Sequence, residues 1–155
     1  MWWRRLRYLL LLVALCAIAT CPAAKRSCTA KAREREADEL LTYLADRVEA
    51  QVASTGRVPT VAAGPTPEPG CCEQGGVCKP DPAAWASEGW RALGFSIDGE
   101  HRFSYQYTPA PNGLAASLRA VGDVACAETP TAIVLELTVV GGKVSRVWSR
   151  KPATE

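Results

Sequence analysis

The chain has 155 residues, 48% of them hydrophobic and 22% charged, with a formal net charge of +2. That length holds one domain with a real core and excludes a large multidomain enzyme, while the composition excludes a disordered chain or a polytopic membrane protein. The charge is unevenly spread: residues 1–31 carry six basic residues (Arg4, Arg5, Arg7, Lys25, Arg26, Lys31) and no acid, leaving twelve basic and sixteen acidic residues in 32–155, a balance of −4. A mildly acidic body without aromatic residues interleaved among basic ones is not expected to bind nucleic acid.

Residues 1–24 read as a signal peptide or membrane anchor. Met1 to Tyr8 is MWWRRLRY, and Tyr8 to Ala24 is a stretch of seventeen residues without a charge. Arginines ahead of an apolar stretch stay in the cytoplasm, so the body of the chain is delivered across the membrane. Seventeen residues is the lower limit for crossing a hydrocarbon core of about 30 Å, and Pro22 would kink a helix near the end of the stretch. Three fates fit: cleavage after Ala19 or Ala23, retention of residues 8–24 as an anchor, or lipidation at Cys21 within Ile18-Ala19-Thr20-Cys21. The expected location is the inner membrane with the C-terminal domain outside the cytoplasm, or the periplasm or cell surface.

Residues 25–55 read as one amphipathic helix. Ala37, Leu40, Leu41, Leu44, Val48 and Val52 recur at three- and four-residue steps, with Glu34, Arg35, Asp38, Glu39, Asp46 and Glu49 on the other faces. The run Arg33-Glu34-Arg35-Glu36 reads as a solvated face, and Gly56 followed by Pro59 ends the helix. Residues 56–82 hold six prolines and five glycines and read as a long loop.

Three of the seven cysteines, Cys71, Cys72 and Cys78, sit in that loop, and Cys126 lies far downstream. An exported body with four cysteines is expected to form two disulfides. A bridge between the adjacent Cys71 and Cys72 is disfavoured by ring strain. Two connectivities remain, each with one short loop closed at Cys78 and one long loop closed at Cys126. Cys16, Cys21 and Cys28 lie in or beside the apolar segment, and Cys28 is left odd.

Residues 83–150 read as the sheet region. Pro82 to Trp90 can make one helical turn, with Trp85 and Trp90 as anchors. In His101 to Thr108, Phe103, Tyr105 and Tyr107 share a face by alternation. Asn112-Gly113 is a turn signal, and Leu114, Ala116, Leu118 and Ala120 alternate after it. Ile133 to Val140, Gly141-Gly142 and Lys143 to Trp148 form a second hairpin. A two-residue loop there pairs Val139 with Val144 and Leu135 with Trp148, which places Leu135, Leu137, Val139, Val144 and Trp148 on one face. Four antiparallel strands with one apolar face need a cover, and the helix stripe supplies it. The expected fold is α+β, a long N-terminal helix packed on a four-stranded antiparallel sheet. Residues 25–150 then form one domain, with Asp46 on the helix face away from the sheet.

No catalytic constellation is visible. His101, the single histidine, reads as a surface residue at a strand end. Cys71, Cys72, Cys78 and His101 together would make four zinc ligands, but C-C-x5-C lacks paired C-x2-C knuckles, and export favours disulfides. Asp98, Glu100 and Asp123 are isolated acids near turns and do not make the dense oxygen cluster that calcium needs. No phosphate-binding glycine loop, G-x-S-x-G or H-E-x-x-H motif occurs. No catalytic, cofactor-binding or metal-binding residue is therefore expected, and no cofactor.

The order of several elements carries a resemblance: Thr66-Pro67, Cys71-Cys72, Cys78-Lys79-Pro80-Asp81, Trp90-Arg91-Ala92-Leu93-Gly94-Phe95, the aromatic strand His101 to Tyr107, and Gly122-Asp123. Over roughly residues 33–150 the chain resembles type IV pilin-like and pseudopilin-like proteins of the myxobacterial kind. The resemblance implies a structural or interaction protein, an accessory or minor subunit of a type IV pilus or type II secretion-like system, with protein subunits of that apparatus as partners. The alternative is a periplasmic or surface lipoprotein acting as a small disulfide-stabilised binding module. Residues 1–33 contain no glycine cut site and no glutamate. Processing by a prepilin peptidase and formation of filaments by this chain alone are accordingly not expected.

Overall fold

The computed structural model describes residues 34–122, Cys126 and 130–153. The proposed signal or anchor, Cys21, Cys28, the expected helix start at 25–33 and Asp123 lie outside the described residues. Within them, α1 spans 34–55. Gly56 ends it, taking a left-handed φ of 74° while its N–H donates to Val52 O at 2.8 Å. Five strands follow: β1 (Ala63–Thr66), β2 (Ser104–Pro109), β3 (Ala115–Gly122), β4 (Thr131–Val140) and β5 (Lys143–Pro152). A 3-10 turn, η1 (Cys71–Gln74), and a short helix, α2 (Glu88–Leu93), lie between β1 and β2. The strands form one antiparallel sheet in the order β1-β2-β3-β4-β5. Among the described residues no helix is long and apolar enough to cross a membrane.

The expected α+β arrangement with a four-stranded sheet is corrected by this topology. Most of the fold is a five-stranded antiparallel meander, accompanied by one helix of 22 residues. The additional strand, β1, comes from the segment expected to be loop. It pairs with β2 only at Ala63↔Tyr107 and Thr66↔Tyr105, with an irregular register between them. Proline is compatible with an edge strand, where one side of the backbone needs no ladder donor. Gly64 makes the approach possible. Its φ is +81°, and a Cβ there would collide with Tyr105 O.

The second hairpin adopts the expected pairing, Val139 opposite Val144 and Leu135 opposite Trp148. Alternation then sends Tyr105, Tyr107, Ala116, Leu118, Ala120, Ile133, Leu135 and Leu137 to one side, all buried. Ala37, Leu41, Leu44, Ala45, Val48 and Val52 of α1 join these residues in a single core. Fully burying a leucine of this kind contributes about 1.5–3 kcal/mol. Trp148, at the free edge, remains 39% exposed.

β5 meets the helix by a different chemistry. Arg146 lies opposite Leu137 and Arg150 opposite Ile133, so both guanidiniums leave the sheet on its core side. Arg146 donates to Glu49 at 2.7 Å and to Asp46 at 2.6 Å, and Arg150 pairs with Asp38 at 2.8 Å. Asp46 is thus on the flank of α1 that faces β5, not on the face away from the sheet. Glu36 also departs from the solvated face expected for it. It accepts the Arg102 backbone N–H at 2.7 Å and Arg102 Nη1 at 3.2 Å.

These contacts rank two substitutions. Leu44→Asp places an unpaired carboxylate in the core and is expected to lower the unfolding free energy by about 3–5 kcal/mol. Asp46→Lys sets a like charge against Arg146 and is expected to cost about 0.5–1 kcal/mol. Urea unfolding measures both, and high salt should shrink the second loss while leaving the first intact.

Candidate functional site: a proline-walled cleft over a disulfide and a buried histidine

The segment that starts in the second half of β1 runs Pro65-Thr66-Pro67-Glu68-Pro69, and the peptide bonds preceding its three prolines are cis. Proline has no N–H, so this segment cannot be held by an ordinary ladder. Side chains hold it instead. Ser104 Oγ donates to Pro67 O at 2.8 Å, Gln74 Nε2 to Pro69 O at 2.7 Å, and Trp90 Nε1 to Thr66 Oγ1 at 2.8 Å. Just upstream, Tyr107 OH donates to Pro59 O at 2.7 Å.

This proline wall is one side of a cleft of about 370 Å³. Lys79, Asp81, Ala84 and Trp85 line it further, together with Cys78 and His101. Trp85 anchors the other side through an aromatic cluster. Its ring lies 5.2 Å from Trp90, 5.5 Å from Phe95 and 5.9 Å from His101, centroid to centroid. The W-x-x-L-G-F element supplies much of this packing: Trp90, Leu93 and Phe95 are buried, and Gly94 takes φ +60° after α2.

The four body cysteines resolve into Cys71–Cys78 and Cys72–Cys126. The first closes a short loop around η1, and the second ties that turn to a residue beyond β3. Of the two connectivities left open by spacing, this is the one in which the short loop begins at Cys71.

His101 is 2% exposed, which corrects the expectation of a surface residue. Its backbone pairs with Cys78 as an isolated antiparallel bridge, Cys78 N to His101 O at 2.8 Å and His101 N to Cys78 O at 3.1 Å. The imidazole Nδ1 lies 3.1 Å from Gly99 O. A carbonyl only accepts, so Nδ1 is the donor and Nε2 of the singly protonated ring presents a lone pair. Nε2 is buried and has no hydrogen-bond partner among the described residues. A ring nitrogen of His101 and the sulfurs of Cys71 and Cys78 all lie within 4.8 Å of one another. The structure therefore brings three of the four weighed zinc ligands together and sends Cys72 elsewhere. The burial is legible in the parity of the strand: His101, Phe103, Tyr105 and Tyr107 alternate in one series, and its last three members point inward.

Two phenols near this site are perturbed. Tyr105 is pushed well above its ordinary value, chiefly by burial and secondarily by the Glu36 carboxylate, and Tyr107 is raised by burial. Ionisation is suppressed in the folded state only. The stability these groups contribute is complete below about pH 10, the unfolded value, and is lost as pH rises above it. In an alkaline titration, the tyrosinate absorbance of Tyr105 and Tyr107 should appear together with loss of the near-ultraviolet circular dichroism. Early ionisation in the intact fold would contradict their burial.

The cross-links also rank by loop length. Cys72 and Cys126 are separated by 54 residues and Cys71 and Cys78 by 7. In the chain-entropy treatment, removing the longer link costs about 4 kcal/mol and the shorter about 2.5 kcal/mol. Denaturant unfolding of the paired serine variants checks the order, after peptide mapping without reductant has identified the links. No protein-family model, no curated protein and no solved structure matches the chain.

Proposed function

We propose that the chain is an exported structural or interaction protein of the pilin-like kind, serving as an accessory or minor subunit of a type IV pilus or a type II secretion-like apparatus. The observation that carries this reading is the pair of disulfides, Cys71–Cys78 and Cys72–Cys126, in a body that lies beyond a basic and then apolar N-terminal segment. Disulfides of this kind persist in oxidising compartments, which supports a body outside the cytoplasmic membrane. The elements that carry the resemblance also serve as framework. Trp90, Leu93 and Phe95 fill the core, and Cys71, Cys72 and Cys78 fasten the loop. Residues 8–24, when retained, hold the protein in the inner membrane, and subunits of the apparatus are its partners.

The cleft favours a second reading, a periplasmic or surface lipoprotein that uses the proline-walled cavity as a small binding module. The N-terminus separates the two. Mass spectrometry of the mature protein, combined with membrane fractionation and cross-linking in the native host, is expected to give an anchored chain joined to pilus or secretion subunits. Lipid on Cys21, or cleavage after Ala19 or Ala23 without any cross-linked subunit, would transfer the assignment to the independent module.

A further inference from the structure

We propose that Cys71, Cys78 and His101 form a thiol-dependent zinc site, which takes one Zn²⁺ on two thiolates and the histidine Nε2 when the Cys71–Cys78 disulfide is reduced. Four observations converge on it. A ring nitrogen of His101 and the sulfurs of Cys71 and Cys78 lie within 4.8 Å of one another, on residues that are all buried. His101 Nε2 is a buried lone pair without a partner among the described residues, a poor arrangement for an ordinary core imidazole and a suitable one for a ligand. Behind it, the bond from Nδ1 to Gly99 O is the kind of outer contact that fixes the tautomer of a metal-binding histidine. Finally, the mutual backbone bonds of Cys78 and His101 hold these two ligands together without help from the sulfur–sulfur bond.

Two sulfurs and one imidazole are a soft donor set suited to a d10 cation. Two thiolates also neutralise the charge of the ion, which a buried site requires. Among the described residues, Cys72 pairs with Cys126 in the oxidised chain and is not one of the three clustered ligands. Cys78 and His101 line the cleft, which leaves the fourth position of a tetrahedral ion to water or to a small ligand entering from it.

The redox step balances. A dithiol reductant supplies two electrons and two protons: the Cys71–Cys78 bond breaks, two thiols form, and the reductant's own sulfurs join. Zinc then displaces both thiol protons to solvent, and no electron moves in that second step. The site does not depend on an assembly partner, so it stands or falls separately from the function proposed above.

The test begins with the unmutated full-length chain, reduced, with and without Zn²⁺, then alkylated and mapped by mass spectrometry. Zinc is expected to protect Cys71 and Cys78 from alkylation and to leave Cys72 and Cys126 reactive. A chain carrying Cys16→Ser, Cys21→Ser and Cys28→Ser is then titrated with Co²⁺. The reduced form should bind one equivalent with a thiolate-to-cobalt charge-transfer band, and the oxidised form should show none. Adding His101→Gln should weaken binding by at least about 100-fold, whereas adding Cys72→Ser and Cys126→Ser together should leave the band in place. Equal alkylation with and without zinc overturns the proposal. So does cobalt binding that is indifferent to His101→Gln, or a reduced chain that has lost its near-ultraviolet spectrum and does not regain it with zinc.

Discussion

The inner face of the meander is the constraint on which the rest of the structure depends. Tyr105 and Tyr107 on β2, Leu118 on β3, and Ile133, Leu135 and Leu137 on β4 make one continuous apolar surface. A sheet can leave one face to water, but not this one. The long helix α1 covers it with Leu41, Leu44, Val48 and Val52, and its position is trimmed by ionic contacts at both sides. Glu36 meets Arg102 near the start of β2, while Asp38, Asp46 and Glu49 meet arginines of β5. Apolar burial supplies the attraction. The ion pairs are partly exposed and individually weak, so their contribution is to orientation and register more than to net stability.

The cleft exists because a different problem had to be solved beside that core. A segment with proline at 65, 67 and 69 cannot satisfy its neighbours through backbone donors, and its carbonyls need partners. Ser104, Gln74 and Trp90 reach across to supply them or to bond Thr66, which fixes the segment as a wall. The Cys78–His101 bridge and the Trp85 cluster close the opposite side. The cavity is thus a by-product of hydrogen-bond accounting, and its lining acquires polar groups with unusual surroundings for the same reason.

Much of this is legible in the chain, and the failures have specific causes. Period-two alternation identifies the faces of the aromatic strand and of both hairpins. Gly141-Gly142 sets the register of the last two strands, because a two-residue turn leaves little choice. The helix stripe is equally clear. β1 escapes because four residues containing Gly64 and Pro65 look like loop, and only the tertiary pairing with β2 makes them a strand. Asp46 and Glu36 look solvent-facing because helical periodicity ranks faces by apolarity. It carries no information about arginines that reach in from elsewhere, Arg146 from the edge strand β5 to Asp46 and Arg102 from just before β2 to Glu36. His101 looks exposed from its end position, whereas its parity with Phe103, Tyr105 and Tyr107 points to burial. The meeting of Cys78 with His101 depends on two loops with no local signature, and no reading of spacing reaches it.

The two edges of the sheet are chemically unequal. At β1 the chain carries Pro65, and α2 comes so close that a Cβ on Gly89 would strike Ala62 O. An incoming strand finds no full row of donors there. At β5 ten residues run along the rim, with Lys143 and Lys151 as the charges that discourage casual pairing. A sheet that can be extended on one side only has a growth limit built into its topology. Pairing rim to rim at β5 consumes that edge of both copies, so association through it closes at a two-fold pair.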